Sequence, residues 1–263
     1  MKLPFYKYQG TGNDFVMVDN REGLFSRVFS QQQIAFICDR RFGIGADGFI
    51  LLSPSETGDF QMIYYNSDGR ESTMCGNGGR CLVAFARDLG LEKETYTFDA
   101  VDGLHHATVS AGIVSLEMIR PHGLRKIEDS VFWLDTGSPH FVSFNDQPVA
   151  EINVFAEGRK IRYSEPFASA GGTNVNFANI LSPQKLRVRT YERGVEDETL
   201  SCGTGVTACA YAYLSAQGGS DGKIIVETQG GTLSVEVQNA GTPSERVLLQ
   251  GPATFVFRGE MDI

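Results

Sequence analysis

Three short patterns occur twice in this chain, in the same order and at nearly the same separation. Thr11-Gly12-Asn13-Asp14-Phe15-Val16 returns as Thr136-Gly137-Ser138-Pro139-His140-Phe141-Val142. Gly43-Ile44-Gly45-Ala46-Asp47-Gly48 returns more faintly as Gly171-Gly172-Thr173-Asn174-Val175-Asn176. Cys75-Gly76-Asn77-Gly78 returns as Cys202-Gly203-Thr204-Gly205, and the three offsets lie between about 125 and 128 residues. One matching tetrapeptide is within the reach of chance. Three ordered matches at one offset point to an internal duplication, and so long a period means two domains and not a solenoid. Arg120-Pro121-His122-Gly123 reads as the crossover, giving expected domains of 1–120 and 121–251. Halves of this kind usually pack about a pseudo-twofold axis. The two Cys-Gly-x-Gly turns are then expected to face each other across a cleft between domains, where ligand sites are common.

Local signals place these motifs on elements. Apolar runs at 5–8, 15–18, 49–52 and 61–65, each bounded by Gly, Asp, Asn or Pro, are predicted strands. Others are predicted at 96–100, 106–110 and 114–119. Ser30 with Gln33 three residues later reads as a capping box opening a helix over 31–40. A second helix is predicted from Asn77, with Leu82, Phe85, Ala86 and Leu89 apolar, stopping at Gly90.

Composition removes several function classes. A net charge of −9 leaves no basic patch for phosphates, which argues against a nucleic-acid partner. No run of 18 apolar residues is present, so no membrane span is expected, and the start lacks the apolar core of a secretory signal. The five cysteines show neither zinc spacing nor a CxxC pair, and they read as reduced thiols of a cytoplasmic enzyme with no metal. Cys38, Cys81 and Cys209 fall inside predicted helices and read as small core hydrophobes. His105, His106 and His122 fit no motif and are expected at the surface.

Cys75 and Cys202 are different. Glycines let the backbone approach a ligand and aim successive N–H groups at it, and the helix that follows adds the positive end of its dipole. A cysteine just before such a terminus has a stabilised thiolate. Two such turns meeting would hold one carboxylate between two thiols, which is what inverting an amino-acid stereocentre requires. Donors on the α-carboxylate stabilise the carbanion while one thiolate removes the Cα proton and a thiol returns one to the other face. No pyridoxal phosphate or other cofactor is called for. A Cys75–Cys202 disulfide is expected only as an oxidised, inactive form.

The blocks Met74-Cys75-Gly76-Asn77-Gly78-Gly79-Arg80-Cys81, Tyr191-Glu192-Arg193-Gly194 and Ser201-Cys202-Gly203-Thr204-Gly205 resemble the hallmarks of the diaminopimelate epimerase family. Gly12-Asn13-Asp14-Phe15, Tyr65-Asn66-Ser67-Asp68-Gly69 and Thr173-Asn174-Val175-Asn176-Phe177 match in the expected order, so the resemblance covers almost the whole chain. It implies an α/β (α+β) fold of two homologous domains, each an antiparallel, barrel-like sheet around a central helix. A return strand within 252–263 would join the amino-terminal domain. It also implies interconversion of LL- and meso-2,6-diaminopimelate for lysine and peptidoglycan supply, by a homodimer. Carried over by position, Cys75 and Cys202 would be the base–acid pair, with Glu192 and His140 flanking the reacting centre. Gly76, Asn77, Gly203 and Thr204 would donate to the reacting carboxylate. Asn13, Asn66, Asn174 and Arg193 would read the substrate, Arg193 clamping its distal carboxylate.

Two positions depart from the pattern. Many members carry asparagine where Ser138 stands, and some carry glutamine at Gly48; both bear on substrate recognition and not on the thiols. A proline-type racemase of the same fold is the nearest rival, and Asn77, where those enzymes resemble Cys-Gly-His, speaks against it. A noncatalytic amino-acid-binding module would need no thiol on each face, and zinc binding by two cysteines and His140 lacks a supporting spacing.

Overall fold

The computed structural model describes residues 2–25 and 29–262. In chain order the first elements are β1 (Lys2–Gly10), β2 (Asn13–Asp19), α1 (Gln31–Cys38), β3 (Gly48–Ser53), β4 (Phe60–Asn66) and α2 (Gly76–Asp88). They are followed by β5 (Thr95–Ala100), β6 (Gly103–Ser110), β7 (Ile113–Met118), β8 (His122–Glu128), β9 (Val131–Asp135), β10 (Pro139–Phe144) and α3 (Val154–Arg162). Then come β11 (Asn174–Ser182), β12 (Lys185–Glu192), the short β13 (Asp197–Thr199), α4 (Gly203–Ala216), β14 (Gly222–Thr228), β15 (Gly231–Gln238), β16 (Arg246–Pro252) and β17 (Thr254–Asp262). The chain divides into two compact units, Met1–Leu116 with Gly251–Ile263, and Glu117–Gln250.

In the first unit the strands run β17–β1–β2–β3–β4–β5–β6–β7. Every neighbouring pair is antiparallel except β2–β3 and β4–β5, which are parallel. The parallel joins follow from the connections, since α1 carries the chain from β2 to β3 and α2 carries it from β4 to β5. β3 is buried at all six positions because it is covered on both faces. On one face Ile34, Ile37 and Cys38 of α1 pack with Val16, Val18, Phe49 and Leu51. On the other lies α2, buried from Gly76 to Ala86 and in contact with β1, β2, β3, β6 and β17. A helix that touches strands so far apart in the ladder requires the sheet to curl around it. Each fully buried Ile or Phe in these layers contributes about 1.5–3 kcal/mol.

The second unit repeats this ladder, β8–β9–β10–β11–β12–β14–β15–β16, with β10–β11 and β12–β14 as its parallel pairs. Here α3 covers one face through Val154, which packs with Val175, Phe177 and Tyr191. α4 is the inner helix, in contact with β9, β10, β11, β12, β14 and β15. The fold is thus mixed α/β, with the sheet antiparallel apart from two parallel joins in each unit.

Several local expectations hold and others shift. The capping box at Ser30 and Gln33 is formed in full, but α1 ends at Cys38, two residues earlier than the pattern suggests, because Asp39 turns to extended backbone. His122 and Gly123 open β8 instead of a loop. His105 is a correction. It is buried, with Nε2 2.9 Å from Asp102 Oδ1 and its ring stacked on Phe98 at 5.2 Å. Strand alternation explains it, since His105 and Ala107 face inward while His106 faces out. Among the described residues no helix is long and apolar enough to cross a membrane.

Candidate active site

Strand register assembles the polar rows. In the first unit Phe15 of β2 lies opposite Gly48 of β3, and Gly48 opposite Asn66 of β4. In the second, His140 of β10 lies opposite Asn174 of β11, and the register places Asn174 beside Glu192 of β12. The two rows therefore correspond as Phe15–Gly48–Asn66 and His140–Asn174–Glu192. Gly48 matches Asn174 and not Asn176, so the faint glycine-rich echo in the sequence slips by two residues. Parallel pairing of strands separated by a helix sets this alignment, and local composition does not record it.

At Gly48 the structure supplies a reason for the missing side chain. A Cβ there would lie 2.5 Å from Tyr64 Cε2 and 2.8 Å from the Tyr65 carbonyl oxygen. The Tyr64 ring fills the place that a longer residue would need.

Cys75 and Cys202 are the N-cap residues of α2 and α4, both in extended backbone conformation, and neither side chain caps its helix. The first N–H groups of a helix have no partner within it, so each thiol stands at a helix end whose backbone donors and dipole favour an anion. Gly76 and Gly203 are the first helical residues and are buried. Cys75 is half-buried and Cys202 is buried.

Around Cys75 the contacts run through Asn13. Asn13 Nδ2 donates to Asp47 Oδ2 at 2.8 Å, which turns Oδ1 toward the helix. That oxygen accepts from Asn77 Nδ2 at 3.2 Å and lies 3.6 Å from Cys75 Sγ. Asp47 is held in turn by Arg40, which also grips Asp14. The Arg40 and Lys7 charges outweigh burial and keep the Asp14 carboxyl below its ordinary range. Asn66 stands apart from this cluster, exposed at the end of β4.

Around Cys202 a longer chain of hydrogen bonds has its direction fixed. Asn176 Nδ2 donates to the Phe141 carbonyl at 2.9 Å, and its Oδ1 accepts from Thr190 Oγ1 at 2.9 Å. The same amide nitrogen lies 3.1 Å from His140 Nδ1, which must therefore accept. His140 then carries its proton on Nε2 and donates it to Ser138 Oγ at 3.1 Å. Ser138 Oγ also accepts from Asn174 Nδ2 at 3.1 Å, so its own hydrogen goes to Thr204 Oγ1 at 3.5 Å. Thr204 is left to donate to Cys202 Sγ at 3.3 Å. Asn174 Oδ1 meanwhile accepts the Arg193 backbone N–H at 2.8 Å. Burial and the Arg193 charge bring the His140 pKa down to about 3, so the ring is neutral.

Most of the residues singled out in the sequence are thus brought together within their own units: Asn13, Cys75, Gly76 and Asn77 in one, His140, Asn174, Arg193, Cys202, Gly203 and Thr204 in the other. Glu192 joins the second row, and its carboxylate accepts from Thr199 Oγ1 at 2.9 Å. The Arg193 guanidinium has neither ion pair nor hydrogen bond among the described residues. Asn176 and Ser138 were not singled out as site residues. The signal for Asn176 is the alternation Asn174-Val175-Asn176, which puts both amides on one face of β11. Ser138 reads in the sequence as bearing on substrate recognition and not on the thiols, yet in the structure it is the junction of His140, Asn174 and Thr204, the last of which donates to Cys202. Among the described residues no group of three or more His, Cys, Asp or Glu is placed to hold a metal ion.

Comparison with known proteins bears on the family and the fold. The model of the family described as diaminopimelate epimerase matches residues 5–114 and 132–256. The diaminopimelate epimerase of Flavobacterium psychrophilum is 52% identical over 261 residues, 98% of each chain. That of Chlorobaculum tepidum is 41% identical over 262 residues, 97% of this chain and 99% of the other. Among solved structures, a phenazine biosynthesis protein of the PhzF family from Bacillus anthracis superposes with a TM-score of 0.77 at 15% identity over the whole of both chains. A hydroxyproline epimerase from Agrobacterium vitis, solved with trans-4-hydroxy-L-proline, gives 0.70 at 14% identity, covering 99% of this chain and 91% of that one. The structural likenesses carry the fold, and the two closely related sequences and the family model carry the assignment: this chain belongs to the diaminopimelate epimerase family of isomerases.

Proposed function

We propose that this protein interconverts LL- and meso-2,6-diaminopimelate by moving the Cα proton between Cys75 and Cys202, without pyridoxal phosphate. The observation that carries the reading is the repeated construction. Two units with the same ladder each end a loop in a cysteine that is the N-cap of the inner helix and whose side chain makes no capping hydrogen bond.

In the reaction the α-carboxylate takes the N–H donors at Gly76, Asn77, Gly203 and Thr204, and negative charge flows into it as the Cα–H bond breaks. The electron pair of a thiolate takes that proton, and the opposing thiol gives its own to the other face of the carbon. The two sulfurs finish with their protonation states exchanged, as reversal demands. Hydrogen-bond directions favour a starting state with the thiolate on Cys202, which a hydroxyl donates to, and the thiol on Cys75, which faces an amide oxygen. Glu192 meets the α-ammonium. Neutral His140 acts through Ser138 and Thr204 as a positioning residue. Arg193, with its fork unengaged, binds the distal carboxylate, and Asn13, Asn66 and Asn174 read the rest of the substrate.

The same reading puts the reaction in the supply of lysine and of peptidoglycan precursor, in the cytoplasm. It also makes the active form a homodimer, for which the exposed Phe255, Val256 and Phe257 of β17 are the supporting feature.

Proton NMR of LL-diaminopimelate in deuterated water tests the reading, with wild type beside Cys75→Ala and Cys202→Ala. Wild type should exchange the Cα proton and form the meso isomer, and both variants should fail to epimerise. If wild type exchanges another amino acid instead, the substrate is wrong and the chemistry stands. If it exchanges none, the proposal falls.

A further inference from the structure

Arg80 takes no part in the reaction as proposed, yet it lies directly beneath the Cys75 turn. It is fully buried, and no carboxylate among the described residues pairs with it. Its Nη1 donates to the Gly76 carbonyl at 3.4 Å, and Nη2 donates to Asn77 Oδ1 at 3.0 Å and to Thr11 Oγ1 at 3.5 Å. Arg80 Nε is the one buried side-chain nitrogen or oxygen among the described residues without a hydrogen-bond partner. Burial pushes the guanidinium toward its neutral form, but its ordinary pKa is so high that it keeps its charge. An ion buried without a counter-ion is costly, and such a cost calls for a use.

The second unit shows that the local fold does not require a charge here. Thr207 stands five residues after Cys202, as Arg80 stands five after Cys75. Thr207 is also fully buried, and its hydroxyl donates to the Gly203 carbonyl at 2.9 Å. That carbonyl is the equivalent of the one on Gly76. A neutral hydroxyl therefore ties the same backbone group in one unit that a cation ties in the other.

We infer that Arg80 is a positioning residue whose buried positive charge fixes a ligand carboxylate at the first turn of α2, acting through Asn77 and the Gly76 peptide. The inference rests on the carboxylate site proposed for this turn. By holding Asn77 Oδ1, the guanidinium polarises the amide and makes Nδ2 a stronger donor. It also adds a full charge to the partial one at the helix end. Its counter-ion is the anion that arrives with the substrate and grows as Cα is deprotonated.

Alkylation of Cys75 by iodoacetate and by iodoacetamide, followed by peptide mass spectrometry, reads this charge without turnover. Both reagents react with the thiolate, so the ratio of their rates cancels the thiol's own ionisation and reports the field felt by the carboxylate of iodoacetate. In Arg80→Met and Arg80→Gln the ratio at Cys75 is expected to fall about five-fold or more, and further than at Cys202. Arg80→Lys should restore most of it, and Arg80→Met should melt no lower than wild type. A ratio that does not change when the charge is removed overturns the inference. So does a failure of both neutral variants to fold, which would make the charge a structural strut. Epimerisation of diaminopimelate by wild type is scored separately, and its absence would remove the proposed substrate while leaving the alkylation ratio to be judged by itself.

Discussion

Thr204 is where the two thiols come to differ, because its hydroxyl donates to Cys202 while Cys75 faces the amide oxygen of Asn13. A hydrogen bond to a charged group contributes about 1.5–3 kcal/mol, or about one to two units of pKa. Thr204→Val should therefore raise the pH midpoint for alkylation of Cys202 by about that much and leave Cys75 where it was. An unmoved Cys202 midpoint would reverse the assigned hydrogen-bond direction. His140 carries a second residue-level expectation. Its pKa is pushed down to about 3 in the folded protein, chiefly by burial, against about 6.5 unfolded. Above pH 6.5 neither state is protonated there and the group contributes no pH dependence. As pH falls below that, the unfolded state takes up a proton that the native state refuses until about pH 3, so stability is lost on acidification. The slope is at most about 1.4 kcal/mol per pH unit. Melting temperatures of wild type and His140→Gln between pH 7.5 and 5 check this: the variant should show the flatter dependence, whatever its absolute stability.

The two inner helices begin alike but are packed differently, and glycine separates them. A Cβ on Gly205 would lie 2.4 Å from Asn176 Oδ1, the amide that holds His140, whereas on Gly78 the nearest atoms are the ends of the Ile50 and Met62 side chains at 3.0 and 3.1 Å. Gly205→Ala should cost about 1–3 kcal/mol of stability and displace the His140–Ser138 link, and Gly78→Ala should cost less. Denaturant melts with epimerase rates would show the order, and equal effects would mean that Asn176 can move freely. How much of this was legible in the sequence follows from how local each cause is. The Ser30 capping box, the Cys-Gly starts of α2 and α4, and the stop at Gly90 depend on neighbours within four residues, and the sequence states them directly. Pairing of Gly48 with Phe15, or of Asn174 with His140, joins residues more than thirty apart across a helix. No local pattern fixes that register, which is why the second echo reads two residues out of place. The inward turn of His105 was within reach of the alternation in β6, but its lack of a motif hid it. The Ser138 junction was not, because it exists only once β10, β11 and α4 have met.

At the scale of the molecule, β8 and β17 occupy the same place in their ladders and are exposed at nearly every position, yet they differ in character. β8 carries Arg125 and Lys126 among its apolar residues, the charged dressing that keeps an edge from pairing, whereas β17 presents Phe255, Val256 and Phe257 in succession. If β17 is where a second copy binds, Val256→Lys should shift the sedimentation mass from dimer to monomer, and a like change in β8, Ile127→Lys, should leave it alone. A monomeric wild type would dispose of the idea. The position of β17 has a further consequence, for the order in which the protein can be made. Synthesis runs through the whole of Glu117–Gln250 before β17 is added, and β17 is the strand that pairs β1 along nearly its full length. The half encoded second therefore has all its strands in hand first. The half encoded first must wait at the ribosome with Leu3, Phe5 and Tyr8 on an unclosed strand, a stretch for chaperones to guard until β17 has been made.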